Sequence, residues 1–212
     1  MNSLDYWNEA AAVKDFTTPF QLELFAGYAP PEAMVLDVGC GYGRILNELY
    51  QAGYSRLAGR DFSPEMIARG RALFPHLELE VSSAEGLGVA DESVEAIILA
   101  AVLTCIIDDR ERGELMRRVG RALKPGGILY INDFLLNTDE RNLTRYAQYE
   151  PKYGCYGAFE LPEGAAVRHF DPGLIREELA IYCEEIVFER QVYVTMNGNQ
   201  SNGFYYLGRK RG

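Results

Sequence analysis

The sequence is short of the residues that build metal centres and disulfide frameworks. Its 212 residues include only four cysteines and two histidines. The cysteines, at positions 40, 105, 155 and 183, form no CxxC pair, which favours free thiols over disulfides or a zinc site. His76 and His169 are too few for a histidine-rich metal centre, so we expect no bound metal.

A long apolar run and a surplus of basic residues are also missing. The uncharged run 96–107 is shorter than the roughly 18 apolar residues that a membrane-spanning helix needs, so no membrane span is expected. The N-terminal residues lack the layout of a secretory signal, and we expect a cytoplasmic location. With 31 acidic against 21 basic side chains, the net charge is −10, which disfavours a nucleic-acid partner.

The residues that are present describe a globular α/β domain. Hydrophobic residues make up 48% of the chain, enough for a sizeable core, and no linker or repeat divides residues 1–212 into two domains. Short apolar runs alternate with helical patterns, which predicts a doubly wound, mostly parallel sheet. Predicted strands are 33–38, 56–61, 77–82, 94–100 and 128–133, predicted helices are 42–52, 64–73, 108–123 and 171–180, and a terminal hairpin pairs 186–196 with 204–208.

Residues 137–170 form an unusually long connection between the fifth strand and the last helix. A connection of this length in a compact domain is usually functional, so we interpret it as a lid. It contains Tyr146, Tyr149, Tyr153 and Tyr156. Aromatic rings can enclose an organic cation or stack on a planar acceptor, or they can simply pack the lid onto the sheet.

The most informative stretch is VLDVGCGYGR at 35–44, where a predicted strand leads into a helix. Glycines in such a turn let the backbone approach a ligand closely. A dinucleotide fingerprint would need a third glycine at position 44, which is Arg44. Asp61 ends the second strand at the same edge of the sheet, where its carboxylate can accept hydrogen bonds from both hydroxyls of a ribose.

Four motifs in this order resemble those of class I S-adenosylmethionine-dependent methyltransferases. They are VLDVGCGYGR at 35–44, GRDFSPEMIARGR at 59–71, SSAEGLGVADESVEAIILA at 82–100 and RALKPGGILYIND at 121–133. The resemblance implies a three-layer α/β/α fold with a seven-stranded sheet that ends in an antiparallel pair. It also implies S-adenosylmethionine as cofactor, S-adenosylhomocysteine as product, and a segment 1–30 that forms a helical cap.

The resemblance also assigns site residues. Asp37, Gly39 and Gly41 would hold the methionine end of the cofactor, with Cys40 beside them. Asp61 would bind the ribose. The remaining contacts would be Phe62, Ser83, Ala84 and Glu85 around the adenine, Ala100 and Ala101 near the sulfonium, and Tyr6 and Thr17 from the N-terminal segment.

Two further residues are candidates for binding the methyl acceptor or for removing a proton from it. His169 lies at the end of the lid, where it would act as a general base or bind the acceptor. Asp133 ends the fifth strand, which points toward the mouth of the site in this architecture. The four lid tyrosines are candidate acceptor contacts.

We therefore expect direct in-line transfer of a methyl group to a small-molecule acceptor, with no covalent enzyme intermediate. Three alternatives stay open: a protein methyltransferase, a regulatory module that binds S-adenosylmethionine without catalysis, and a nicotinamide-dependent oxidoreductase. Neither the acceptor nor the oligomeric state follows from these residues.

Overall fold

A computed structural model describes residues 3–82 and 86–212. Its helices are α1 (Ser3–Val13), α2 (Leu22–Ala26), α3 (Arg44–Gln51), α4 (Pro64–Leu73), α5 (Asp109–Ala122), α6 (Glu140–Tyr153) and α7 (Pro172–Ala180). Its strands are β1 (Val35–Val38), β2 (Leu57–Asp61), β3 (Glu78–Val81), β4 (Val94–Ala100), β5 (Leu123–Phe134), β6 (Ala158–Glu160), β7 (Ala166–Arg168), β8 (Cys183–Val194) and β9 (Gln200–Lys210).

Seven of the strands in the described ranges form one sheet, in the order β3-β2-β1-β4-β5-β9-β8. The first five are parallel, whereas β9 pairs antiparallel with both β5 and β8. The predicted doubly wound sheet with a closing antiparallel pair is thus confirmed. From β1 the strands β2 and β3 are added toward one edge of the sheet, and from β4 the later strands are added toward the other edge. Ligands bind at such a switch point in open α/β sheets.

Side chains on both faces of the sheet are buried, as a three-layer fold requires. On one face, Leu36 and Leu129 pack with Met116 of α5 and Leu179 of α7. On the other face, Val35 and Tyr130 belong to a second cluster, which includes Leu46 and Leu49 of α3 and Phe25 of α2. Neighbouring residues of a strand point to opposite faces, and both faces of this sheet are covered. The residues of β1 are therefore apolar at every position except Asp37.

Several helices begin where an acceptor side chain caps their free N–H groups. Ser63 accepts from the N–H of Met66, and Pro64 follows it as the first helical residue of α4. The other side-chain caps are Asp108 for α5, Asp139 for α6 and Asp171 for α7. The sequence carries a helix start signal at each of these positions.

The segment 137–170 contains more regular structure than we predicted. It holds α6 and the two-stranded sheet formed by β6 and β7. Its last residue, Phe170, is buried in the main core, and its N–H donates to Phe134 O over 3.0 Å. The C-terminal end of the predicted lid is therefore anchored to the sheet.

The closing strands are longer than the sequence pattern indicated. β8 and β9 run over 183–194 and 200–210, and β5 begins at Leu123, in register with Val94 before a shift. Lys124-Pro125-Gly126-Gly127, which the sequence placed between the predicted helix 108–123 and the predicted strand 128–133, lies within β5. No helix in the described residues has the length and apolarity that crossing a bilayer requires.

Candidate functional site

The turn between β1 and α3 has a backbone that requires glycine. Gly39 and Gly41 have φ angles of +74° and +54°, a region that other residues rarely adopt. A Cβ on Gly39 would lie 2.5 Å from Val102 Cγ2, and one on Gly41 would lie 2.1 Å from the Phe16 ring. The N–H groups of Gly39 and Cys40 both donate to Arg60 O, which ties the turn to β2.

Two aspartates lie beside this turn at the ends of adjacent parallel strands. Asp61 accepts hydrogen bonds from the N–H of Gly41 at 2.8 Å and from the N–H of Ser63 at 2.9 Å. Burial raises the pKa of Asp61, and these hydrogen bonds act in the opposite direction. Asp61 therefore holds the glycine turn in place while it faces the cavity described next.

Asp37 is buried almost completely and lacks a full set of partners. Its Oδ1 atom is inaccessible and makes no hydrogen bond within the described part of the chain. Burial first, and then the neighbouring Asp61, raise its pKa from 3.8 to about 7. An unpartnered carboxylate oxygen in the interior is unfavourable, which marks Asp37 as a position that a cationic donor would satisfy.

A cavity of about 1050 Å³ opens at these strand ends. That is at the upper end of the roughly 300–1,000 Å³ typical of small-molecule sites, so there is room for two ligands side by side. Ala101, in its wall after β4, has a φ of +55°, an unusual value for alanine. Predicted residues that line this cavity are Thr17, Asp37, Gly39, Cys40, Asp61, Phe62, Ala100, Ala101, Tyr149 and His169.

Other predicted residues lie behind the cavity wall or outside the described residues. Gly41 packs against Phe16, and Tyr6 is buried beside Trp7, which lines the cavity in its place. Of the lid tyrosines, Tyr146 is fully buried, Tyr153 donates to Glu160, and Tyr156 is largely exposed; none of these three lines the cavity. Ser83, Ala84 and Glu85, the predicted adenine contacts, are outside the described residues.

Asp133 is fully buried, and its oxygens are used by the backbone. Oδ1 accepts from the N–H of Phe134 at 2.8 Å, and Oδ2 accepts from the N–H of Thr104 at 3.1 Å. Burial raises its pKa to about 7, and it is not among the residues that line the cavity. In this structure Asp133 holds the short 3-10 turn Leu103–Cys105 that follows β4.

His169 lies at the far end of the cavity inside an aromatic cluster. Its ring stacks on Phe134 at 5.6 Å and meets Phe159 edge-on at 4.9 Å. The Tyr146 hydroxyl lies 2.6 Å from its Nδ1, and Asn137 Nδ2 lies 3.2 Å away. Asn137 Oδ1 accepts from the N–H of Asn202, which orients the Asn137 amide so that its NH₂ faces His169.

These contacts favour one neutral tautomer of His169. The Tyr146 hydroxyl and the Asn137 NH₂ both contact Nδ1, and with Nδ1 as the acceptor the neutral ring carries its proton on Nε2. Burial, with help from Arg145 and Arg141, lowers the pKa of His169 to about 3. The ring is therefore uncharged near neutral pH, and Nε2 in this tautomer is available as a donor.

Helix α6 contributes a polar face of which only Tyr149 was predicted from the sequence. Arg141, Arg145, Gln148 and Tyr149 all line the cavity. Their spacing of i, i+4, i+7 and i+8 places them on one face of a helix. The sequence contained the signal, namely the Asp139 cap, this spacing, and Gly154 at the left-handed C-cap position.

Other missed residues come from the terminal hairpin and from the turn at 161–164. Asn197, Asn199 and Ser201 line the cavity from the hairpin side. Lys14 Nζ bonds to Asn197 Oδ1 at 2.5 Å and to Glu163 at 3.0 Å, so it joins the N-terminal segment, the hairpin and that turn. Residues 3–82 and 86–212 contain no cluster of three or more metal-binding side chains.

A family profile and two similar proteins of known sequence are described as methyltransferases. A family profile described as a methyltransferase domain matches residues 35–127, from β1 into β5. A demethylmenaquinone methyltransferase from Chlorobaculum parvum is 32% identical over 127 residues, which are 60% of this chain and 48% of that protein. An eEF1A lysine and N-terminal methyltransferase from Mus musculus is 25% identical over 59% of this chain and 20% of that protein.

A solved structure matches over a greater length. The crystal structure of a SAM-dependent methyltransferase from Methanosarcina mazei has a TM-score of 0.84 and 27% identity, and the match covers 92% of this chain and 99% of that one. The chain spans about half the length of the Chlorobaculum relative, whereas it spans nearly all of the Methanosarcina structure.

Proposed function

Since the chain belongs to the class I S-adenosylmethionine-dependent methyltransferases, we propose that it methylates a small-molecule acceptor by direct in-line displacement. The observation that carries the proposal is the buried Asp37 carboxylate, whose Oδ1 atom lacks a partner at the wall of a large cavity. Asp37 lines the cavity, so its carboxylate is in place for the cationic amino group of an amino-acid-bearing nucleoside.

The residues present fit the methionine and ribose parts of the cofactor. An ammonium group supplies the donor that Asp37 Oδ1 lacks. Ribose hydroxyls are donors, and a carboxylate has about four acceptor positions, so the backbone N–H groups of Gly41, Ser63 and Phe62 leave one on Asp61 for a ribose hydroxyl. A side chain at position 39 would collide with Val102, so glycine is needed there, and its bare backbone lets a ligand approach closely.

Apolar residues at the same end suit the remaining parts of the cofactor. Phe62 is 41% exposed and lines the cavity, so its ring is available to an adenine. Ala100 and Ala101 offer small side chains near the sulfur, with Cys40 and Thr17 in the same wall. When bound, the cofactor supplies a methyl group activated by a positively charged sulfur.

The chain's own contribution to the reaction is chiefly positioning. Alignment of acceptor, methyl carbon and sulfur at contact distance gives effective molarities of about 10⁵ M or more in well-oriented systems. His169 is neutral and donates from Nε2, which favours a hydrogen bond to the acceptor over proton removal. A general base is needed only for an acceptor that is protonated at the working pH.

The shape of the cavity favours a small acceptor over a protein side chain. Its acceptor end is enclosed by α6, by the turn at 161–164 and by the hairpin, and Lys14 bonds to the last two. A polypeptide would need an open groove, whereas these segments form walls around the space. Protein acceptors are retained as an outcome of the test below.

The test begins with calorimetry on the purified chain with S-adenosylmethionine, S-adenosylhomocysteine, NAD and NADP. We expect the two adenosyl ligands to bind and the nicotinamide cofactors not to bind. S-adenosylhomocysteine formation is then measured with small-molecule and peptide acceptor panels. Tight cofactor binding without turnover on any acceptor would indicate a regulatory module, and turnover on peptides alone would contradict the small-molecule acceptor.

A further inference from the structure

Among the residues 3–82 and 86–212, the wall of the cavity contains one cation, Arg145, that forms no ion pair. Most charged side chains in its wall are paired: Glu160 with Lys152, Glu163 with Lys14, Arg44 with Glu48, and Arg141 with Asp139. Glu111 is exposed to solvent. Arg145 differs, because in the described residues its guanidinium forms no ion pair with a carboxylate: it donates to the neutral Asn142 Oδ1, and its buried Nε has no partner.

Arg145 is held rigidly in the cavity wall. The centre of its guanidinium lies 3.4 Å from the centroid of the Phe159 ring, which is itself buried. Stacking of this kind fixes the plane of the guanidinium and leaves its edges for hydrogen bonding. The ring of Phe159 also contacts His169, so the arginine and the Nε2 donor of His169 belong to one cluster.

The field of Arg145 acts on the acceptor end of the cavity rather than on the cofactor end. Arg145 is among the groups that lower the pKa of His169, whereas the arginine that acts on Asp37 is Arg44. The two aspartates that line the cavity, Asp37 and Asp61, lie on β1 and β2, and Arg145 lies on α6. Binding a cationic cofactor would therefore leave Arg145 without a partner.

Arg145 is half-buried, and a partly desolvated cation without an ion-pair partner is unfavourable, so an anion beside it would be stabilising. A planar carboxylate matches the two-pronged edge of a guanidinium better than other common anions of similar size. The chain carries a net charge of −10, so its overall field repels anions and a local cation is needed to retain one.

We propose that the methyl acceptor is a small organic acid whose carboxylate pairs with Arg145, with a further hydrogen bond from His169 Nε2. This inference rests on the proposed methyltransferase function, because it names the acceptor class for that same cavity. The aromatic rings of Phe134 and Phe159 beside these donors favour a planar or unsaturated acid.

The test uses three pairs of probes that match in shape and differ in charge: acetate and acetamide, benzoate and benzamide, and 3-phenylpropionate and its amide. Binding to the S-adenosylhomocysteine-saturated protein is measured by ligand-observed NMR and calorimetry. We expect at least one acid to bind better than its amide. In Arg145→Gln that acid should bind about 10-fold more weakly or worse, with the amide unchanged.

Two further variants serve as controls. Arg145→Lys keeps the charge without the planar fork and should retain part of the preference. Arg176→Gln removes an arginine that also stacks on a ring, Phe188 at 5.1 Å, but that is exposed and paired with Glu185. It should leave acid binding unchanged, and thermal unfolding checks that all variants are folded.

The outcomes separate this inference from the proposed function. The inference is overturned if no acid binds better than its amide, or if Arg145→Gln leaves acid binding unchanged. It is also overturned if Arg145→Gln weakens S-adenosylhomocysteine binding instead, because the arginine would then hold the cofactor's own carboxylate. If the wild-type chain binds no adenosyl ligand, the proposed function itself fails, whatever the acids do.

Discussion

Asp37→Asn should stabilise the free protein while it weakens cofactor binding. Burial raises the pKa of Asp37 from 3.8 to about 7, which corresponds to roughly 4 kcal/mol of unfavourable free energy once the carboxyl is ionised. Both the folded and unfolded forms are protonated below about pH 4, so the penalty is absent there. It grows as pH rises and is complete above about pH 7.

The stability gain in Asp37→Asn should therefore depend on pH. We expect an increase in the free energy of unfolding of up to roughly 4 kcal/mol near pH 8, and of roughly 1.7 kcal/mol near pH 5. Affinity for S-adenosylmethionine should fall about 10-fold or more, because a hydrogen bond to a charged group contributes about 1.5–3 kcal/mol. Urea denaturation at both pH values and calorimetry measure the two effects.

Asp133→Asn is a matched control, because Asp133 is also fully buried with a pKa raised to about 7. Both of its oxygens accept backbone N–H groups, so an amide NH₂ in place of one oxygen would oppose a donor. We expect no gain in stability and no change in cofactor affinity. A gain in Asp37→Asn that is equal at both pH values, or a loss near pH 8, would refute the reasoning.

Asp61→Ala should weaken S-adenosylmethionine binding about 10-fold or more, and an unchanged dissociation constant would remove Asp61 from the ribose site. Gly41→Ala should lower the free energy of unfolding by about 1–3 kcal/mol, because its Cβ would meet the Phe16 ring. Gly53→Ala, with a φ of +95° and open space around it, isolates the backbone part of that loss. Tyr146→Phe should cost about 1–2 kcal/mol of stability without changing cofactor affinity; a change in affinity would contradict its placement behind the wall.

The cofactor half of the cavity could be predicted from the sequence because residues close together in the chain form it. Glycine at 39 and 41 follows from the turn itself, and the carboxyl ends of parallel strands meet at one edge of the sheet. Asp37 and Asp61 are thus brought together by a βαβ unit of fewer than thirty residues. What the sequence did not show is that Asp37 lacks a partner, since that depends on the atoms around it.

The acceptor half was harder to predict from the sequence because contacts between distant parts of the chain form it. Asn137 bonds to Ser201 and Asn202 across more than sixty residues, and His169 joins the same network through Tyr146. No periodicity within 137–170 encodes which hairpin residue meets which lid residue. Composition gave no indication of a cation in this half: the excess of acidic residues disfavours a nucleic-acid partner, but net charge describes the average surface and not one cavity.

The two halves of the cavity differ in a way that constrains what they hold together. An unpartnered carboxylate oxygen lies at the β1 end, and an unpaired guanidinium lies on α6. Both are unfavourable in the free protein, and direct pairing would have removed both penalties at once. Since Asp37 and Arg145 instead line the shared cavity without pairing with each other, the arrangement is best satisfied by a cation at one end and an anion at the other. A cofactor with a cationic sulfur and an acid acceptor meet that requirement, and their opposite charges would also attract along the line of transfer.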